Sequence, residues 1–255
     1  MTEVQLDWDG AVAVVTLDAP ERRNALTPAM ARELIAVFDD VDARPHAGAL
    51  VIRATGKSFC AGGDVRTLLE AGRDPAAPTA YDGMGAIYDS FYRLGRMRVP
   101  TIAAVRGSAV GAGMNMLLAA DLRILAHDAR LLCGFLKRGI HPGGGHFVLL
   151  SRLVGREAAA AMALFGEEID GRRAVELGLA WESRDADAVE ARALELAARV
   201  AADPDLARIA IANFRLETGP PQLSWEAAGQ FERPSQMWSM RRSAGRSDDV
   251  GKPES

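Results

Sequence analysis

The 255-residue chain has little cysteine, little lysine and no long hydrophobic run. Its two cysteines, Cys60 and Cys133, lie far apart and form no CxxC pair, which argues against a disulfide framework and a zinc site. The four histidines lack metal-ligand spacing, and no stretch approaches the roughly 18 uncharged apolar residues that a membrane span needs. The sequence therefore predicts no metal site and no membrane partner.

Charge and composition narrow the class of protein further. A formal net charge of −4 argues against a broad cationic surface for nucleic acid. With 49% hydrophobic and 25% charged residues, the chain has the composition of a folded globular protein. The segment Met1–Asp9 lacks the basic and apolar regions of a secretory signal, so we expect a cytoplasmic protein.

The hydrophobic pattern predicts an α/β fold followed by helices. Two alternating segments around Asp9-Gly10 predict a β-hairpin, and further buried strands then alternate with helical segments, as in βα units with a largely parallel sheet. From Gly155 onward the pattern is almost entirely helical, with a last helix predicted over Gln222–Met240. We therefore expect a core over residues 1–190 and a helical region over 191–255. The segment 72–79 is predicted to be a loop.

Three glycine-rich segments each follow a predicted strand and precede a helix. They span residues 56–64, 107–113 and 139–145. Backbone N–H groups at such turns are free, the helix N-terminus adds positive potential, and glycine lets a ligand approach closely. Two facing turns of this kind would hold an anionic oxygen between two N–H donors.

Several motifs in this order resemble one known family. They are RNAL (residues 23–26), SFCAGGDV (58–65), PTIAAVRGSAVGAGMNMLLAADLRI (100–124) and GIHPGGG (139–145). Together they resemble the crotonase superfamily of enoyl-CoA hydratases and isomerases. The resemblance implies a crotonase-like spiral of ββα repeats with a C-terminal helical region that forms trimers or dimers of trimers. It also implies an acyl-CoA or enoyl-CoA ligand, with no cofactor beyond the coenzyme A of the substrate.

The same resemblance assigns roles to individual positions. It places the two backbone donors of the oxyanion hole at Ala61 and Ala112. The positions that it assigns to substrate or coenzyme A are Arg23, Ala25, Lys57, Gly62, Gly63, Asp64, Gly111, Phe135 and Gly143.

The chain departs from the family at the positions that carry acids. Family hydratases have glutamates where this chain has Asn115 and Phe135, and some isomerases have an aspartate where it has Gly143. Because neither amide nor phenyl can exchange a proton, the two-glutamate hydration mechanism is not expected. We predict instead a thioester enolate served by atypical groups, with His141 and Asn115 as candidates. The alternative is a protein that binds acyl-CoA without hydratase turnover.

Overall fold

The computed structural model describes residues 2–74 and 76–219 of the chain. The predicted last helix over Gln222–Met240 and the tail after it lie outside the described residues.

The strands form two sheets whose topology has a repeating pattern. The larger sheet has the order β1-β2-β3-β5-β7-β9, in which only the β1–β2 hairpin pair is antiparallel. The smaller sheet has the order β4-β6-β8 and is parallel. The strands are β1 (Val4–Asp9), β2 (Val12–Leu17), β3 (Ala49–Ala54), β4 (Ser58–Cys60), β5 (Thr101–Val105), β6 (Ser108–Val110), β7 (Leu122–Ala126), β8 (Arg130–Leu132) and β9 (Glu182–Arg184).

Each repeat contributes one strand to each sheet before the chain returns through helices. The strand pairs β3–β4, β5–β6 and β7–β8 follow this rule. Such parallel neighbours need long crossover connections, which the helices supply. The α/β fold and its ββα spiral are therefore confirmed. The described α-helices are α1 (Pro28–Ala43), α2 (Val65–Arg73), α3 (Pro78–Leu94), α4 (Ala112–Ala119), α5 (His146–Ala163), α6 (Gly171–Glu176), α7 (Val189–Ala201) and α8 (Pro204–Thr218).

Local sequence signals explain where several helices begin and end. Thr27 caps α1 by accepting a hydrogen bond from the Met30 N–H at 3.1 Å, and Pro28 fits the first turn, where no N–H is needed. Helix α5 contains Gly155 at φ +75°, so it consists of two helical segments. Helix α7 packs against β2, β3, β5 and β7. The predicted division between residues 190 and 191 falls inside this helix.

Three details differ from the sequence-based expectation. The loop predicted over 72–79 is shorter than expected, because α2 continues to Arg73 and α3 begins at Pro78. The strand β9 interrupts a region predicted to be helical, and β4 and β6 lie within segments interpreted as glycine-rich loops. These strands have three residues each and show no alternation long enough to identify them. Among the described residues, no helix is long and apolar enough to span a membrane.

Candidate active site

A cavity of about 90 Å³ lies where the strands of the smaller sheet end. The segments that follow β4, β6 and β8 all line it, because the carboxyl ends of parallel strands lie at one edge of a sheet. Helix α3 also lines the cavity, through Met84, Ile87, Tyr88 and Phe91. The residues that line the cavity include Gly62, Gly63, Tyr88, Gly111, Ala112, Asn115, Cys133, Phe135, Arg138, His141 and Gly143.

The first side of the cavity, here called the backbone wall, consists of Gly62, Gly63, Gly111 and Ala112. Ala112 is the first residue of α4, so its N–H has no partner within the helix and lies at the positive end of the helix dipole. A β-carbon on Gly62, which has φ +100°, would lie 2.8 Å from the Val110 carbonyl oxygen and 3.7 Å from the Ala112 nitrogen. Glycine at position 62 therefore lets the two turns approach each other.

The structure does not support Ala61 as a donor of the oxyanion hole. Its N–H donates to the Arg23 carbonyl oxygen at 3.0 Å, so it is already occupied. Two further backbone bonds join the following residues to Leu26. The Leu26 N–H donates to the Gly62 carbonyl oxygen at 2.7 Å, and the Asp64 N–H donates to the Leu26 carbonyl oxygen at 2.9 Å. Between them, the Gly63 N–H donates to no acceptor within residues 2–74 and 76–219. The Gly63 N–H is therefore a better candidate for the first donor than the Ala61 N–H.

The RNAL segment holds this loop in place through a residue that the sequence interpretation missed. Asn24 is buried and adopts φ +55°, a left-handed conformation that asparagine tolerates. Its Oδ1 accepts from the Ala19 N–H at 2.7 Å, and its Nδ2 lies 2.9 Å from the carbonyl oxygens of both Thr55 and Ser58. A buried amide with all these partners fixes the turn before β4 and the first residue of that strand, while the backbone of Arg23 and Leu26 holds the turn after it.

The second side, here called the side-chain wall, consists of Tyr88, Asn115 and Phe135. The Asn115 Nδ2 donates to the Gly143 carbonyl oxygen at 2.8 Å, so its Oδ1 is the acceptor that faces His146 Nδ1 at 2.7 Å. This arrangement places the imidazole proton on Nδ1. His146 therefore fixes the orientation of an amide that lines the cavity.

His146 is only 1% exposed, and its burial has an electrostatic consequence. Burial lowers the pKa of His146 to about 4, so the ring is neutral at physiological pH. Its Nε2 is buried and has no hydrogen-bond partner in the described part of the chain. Phe135 packs edge-on against the ring, with 4.9 Å between ring centroids, and presents an apolar surface to the cavity.

Tyr88 brings a hydroxyl group into the cavity from helix α3. A β-carbon at position 143 would lie 2.0 Å from the Tyr88 Oη. Burial raises the pKa of Tyr88, the nearby Tyr92 adds to this effect, and the backbone N–H of Gly144 opposes it. The sequence interpretation missed Tyr88, although Met84, Tyr88 and Phe91 share one face of α3 at helical spacing.

His141, Asp64 and the two cysteines are less suited to exchange a proton in the cavity. His141 is exposed at the rim, where its Nδ1 lies 2.7 Å from the Pro142 carbonyl oxygen. Asp64 is the N-cap of α2, since its Oδ1 accepts from the Thr67 N–H at 3.0 Å. Burial raises the pKa of both Cys60 and Cys133 to about 12, so neither thiol ionises near neutral pH. No cluster of three metal-ligating side chains occurs among the described residues.

A basic groove adjoins the cavity and shares Ala61, Val110, Gly134 and Arg138 with it. Its cationic residues are Arg23, Arg130, Lys137 and Arg138. Arg130 is paired with Glu168 through contacts of 2.6 and 2.9 Å. Ala25 is buried, and neither Ala25 nor Lys57 lines the cavity or the groove.

The far end of α4 meets a buried cation. Arg123 Nη1 donates to the carbonyl oxygen of Ala120, the C-cap of α4, at 2.7 Å, and its Nε donates to the Leu179 carbonyl oxygen at 2.6 Å. Burial lowers the pKa of Arg123 to about 10, while the nearby Asp121 raises it. The guanidinium thus stays charged at neutral pH.

A ββα spiral whose glycine turns meet at the strand ends of the smaller sheet defines a protein of the crotonase fold. The enoyl-CoA hydratase/isomerase family model matches residues 7–233. The chain belongs to this family.

Individual relatives and solved structures agree with this placement. The chain is 42% identical over 224 residues to "Probable enoyl-CoA hydratase EchA14" of Mycobacterium tuberculosis, with 88% of this chain and 85% of the relative covered. It is 32% identical to 1,2-epoxyphenylacetyl-CoA isomerase of Escherichia coli, with 76% and 74% covered. The crystal structure of an enoyl-CoA hydratase from Mycobacterium smegmatis superimposes with a TM-score of 0.86 at 26% identity, covering 100% of this chain and 99% of that one.

Proposed function

We propose that this chain is an enzyme that binds an acyl-CoA thioester and acts through a thioester enolate. The single observation that carries the proposal is the pair of unoccupied N–H groups on the backbone wall, at Gly63 and Ala112. Two donors at one oxygen stabilise negative charge as it develops, and one such donor typically contributes about 3 kcal/mol to the transition state. The names of the hydratase and isomerase relatives support a CoA thioester as the ligand.

The basic groove gives the coenzyme A moiety a place to lie. Its phosphates carry negative charge, and Arg23, Lys137 and Arg138 supply positive charge directly beside the cavity. The acyl chain then lies against Phe135 and the apolar face of α3, with the thioester carbonyl between the two sides.

The assembly into trimers implied by the family resemblance remains a prediction that sedimentation analysis would test.

The side-chain wall argues against hydration by two carboxylates. The positions for those carboxylates hold Asn115 and Phe135, and His146 behind them is neutral. An enolate is nevertheless compatible with this wall, because its charge resides on the thioester oxygen at the backbone wall. The reaction therefore needs a proton carrier other than the two glutamates.

The proposal is tested by calorimetric titration with a panel of CoA thioesters that includes crotonyl-CoA, while the enoyl absorbance is followed in the same samples. We expect binding together with a change in absorbance for at least one enoyl thioester. Binding throughout the panel without conversion would favour the alternative, an acyl-CoA-binding protein. Absence of binding to every thioester would overturn the assignment of the oxyanion hole.

A further inference from the structure

Tyr88 occupies the space that a side chain at position 143 would need. A β-carbon there would lie 2.0 Å from the Tyr88 Oη and 2.9 Å from its Cζ, so only glycine fits. Position 143 is also where some isomerases of the family have an aspartate. The hydroxyl of Tyr88 thus lies where the β-carbon of that aspartate would begin its side chain.

The protonation state of this hydroxyl suits a donor. Burial, the larger effect, raises the pKa of Tyr88, so the phenol keeps its proton at neutral pH. The Gly144 N–H opposes that shift because it favours the phenolate, which would stabilise the anion after proton transfer. Neither Asn115 nor Phe135 can supply a proton, and the proton of His146 Nδ1 faces Asn115 Oδ1.

We propose that Tyr88 is a catalytic residue that delivers a proton to the α-carbon of the thioester enolate, an assignment that rests on the proposed function. In this step the O–H bond of Tyr88 breaks, and its electron pair stays on the phenol oxygen. The π electrons of the enolate form the new C–H bond, and the thioester C=O bond is restored. Water then returns a proton to the phenolate.

The reverse of this step can be measured without a complete reaction. Butyryl-CoA is incubated with the protein in deuterium oxide, and deuterium at the α-carbon is followed by mass spectrometry. We expect exchange that the wild-type chain catalyses and that Tyr88→Phe slows by at least about 100-fold, the usual effect of a positioned acid or base. The dissociation constant for butyryl-CoA, measured by calorimetry, should change by less than about twofold. Tyr88 exchanges a proton with the α-carbon and does not bind the thioester oxygen, so its loss affects the rate and not the affinity.

The pH profile separates proton transfer from a structural role. Because the phenolate is the reactive form in the exchange direction, the wild-type rate should rise about tenfold per pH unit between roughly pH 7 and 9. Tyr88→Phe should abolish this rise. The matched control is Tyr81→Phe near the start of α3, where the side chain is 75% exposed and does not line the cavity; it should leave rate and profile unchanged.

Three results would contradict the proposal in distinguishable ways. If Tyr88→Phe exchanges as fast as the wild type, Tyr88 is not the proton carrier, although thioester binding stands. If the wild type binds butyryl-CoA but catalyses no exchange, the proton-transfer role is overturned while the binding site remains. If the wild type binds no thioester, the proposed function fails first, and the role of Tyr88 fails with it.

Discussion

The backbone wall and the side-chain wall of the cavity differ in how strongly an amino-acid substitution changes their chemistry. The backbone wall uses N–H groups and requires only that certain positions be small, so Ala112 offers its N–H whatever its small side chain is. The side-chain wall uses the groups that a substitution replaces, and here carboxylate positions hold Asn115, Phe135 and Gly143. Binding of a thioester can therefore persist in a family while proton transfer is reassigned.

The largest effect should come from removing a donor of the backbone wall. Ala112→Pro deletes the N–H at the first position of α4, where proline is well tolerated. We expect turnover of the best enoyl thioester to fall by about 100- to 1000-fold, as for other oxyanion donors. Steady-state kinetics would measure this loss.

The matched control for that variant is Ala112→Ser, which keeps the N–H and should retain most of the activity. Equal losses in both variants would show that the side chain at position 112, and not its N–H, is what matters.

Acidic pH should destabilise the protein through His146, the buried residue that holds Asn115 of the side-chain wall. His146 has a pKa of about 4 in the folded chain and an ordinary value of 6.5, so between these values the unfolded chain binds a proton that the folded chain does not. The free energy of unfolding should therefore be fully retained above about pH 6.5 and fall by up to about 3 kcal/mol as the pH drops toward 4.

Urea unfolding at pH 7 and pH 4.5 would measure this dependence. His146→Gln should weaken the decrease, whereas His46→Gln, at an exposed position, should preserve it. Identical decreases in the wild type and His146→Gln would exclude His146 as the source.

Crowding at the side-chain wall should have a smaller effect. Gly143→Ala forces the new β-carbon against the Tyr88 hydroxyl and should cost about 1–3 kcal/mol of unfolding free energy. Tyr88→Phe removes the nearest atom but leaves the ring carbon at 2.9 Å, so the double variant should recover only part of the loss. A double-mutant cycle in urea should give a coupling of at least about 0.5 kcal/mol; additive effects would mean that the two positions do not meet.

The smallest effect should arise outside both walls, in the basic groove. Lys137→Ala with Arg138→Ala should weaken binding of butyryl-CoA only about 2- to 10-fold at low salt, because exposed charges each contribute under about 1 kcal/mol. Butyryl-pantetheine, which lacks the nucleotide, should bind both proteins equally in calorimetry. Equal weakening for both ligands would place the coenzyme A phosphates elsewhere.

Sequence alone predicted the fold and the location of the cavity, because long periodic helices, buried strands and glycine turns leave local signals. It placed the first oxyanion donor at Ala61, since motif spacing does not reveal that the Ala61 N–H is taken by the Arg23 carbonyl oxygen. It also missed Tyr88 and Asn24. Both act through contacts with residues more than 30 positions away in the chain, Tyr88 with Gly143 and Asn24 with Thr55 and Ser58, and only the folded chain brings these together.

The buried Arg123 at the end of α4 has a consequence for the opposite end of that helix. The dipole of α4 gives its N-terminus a partial positive charge and its C-terminus a partial negative charge. The C-terminus of α4, at Ala120, is buried inside the protein, where water cannot solvate that negative charge. Arg123 neutralises it about 12 Å away, the length of an eight-residue helix. The proposed oxyanion site at the N-terminus of α4 is thus balanced by a buried cation at the opposite end of the same helix.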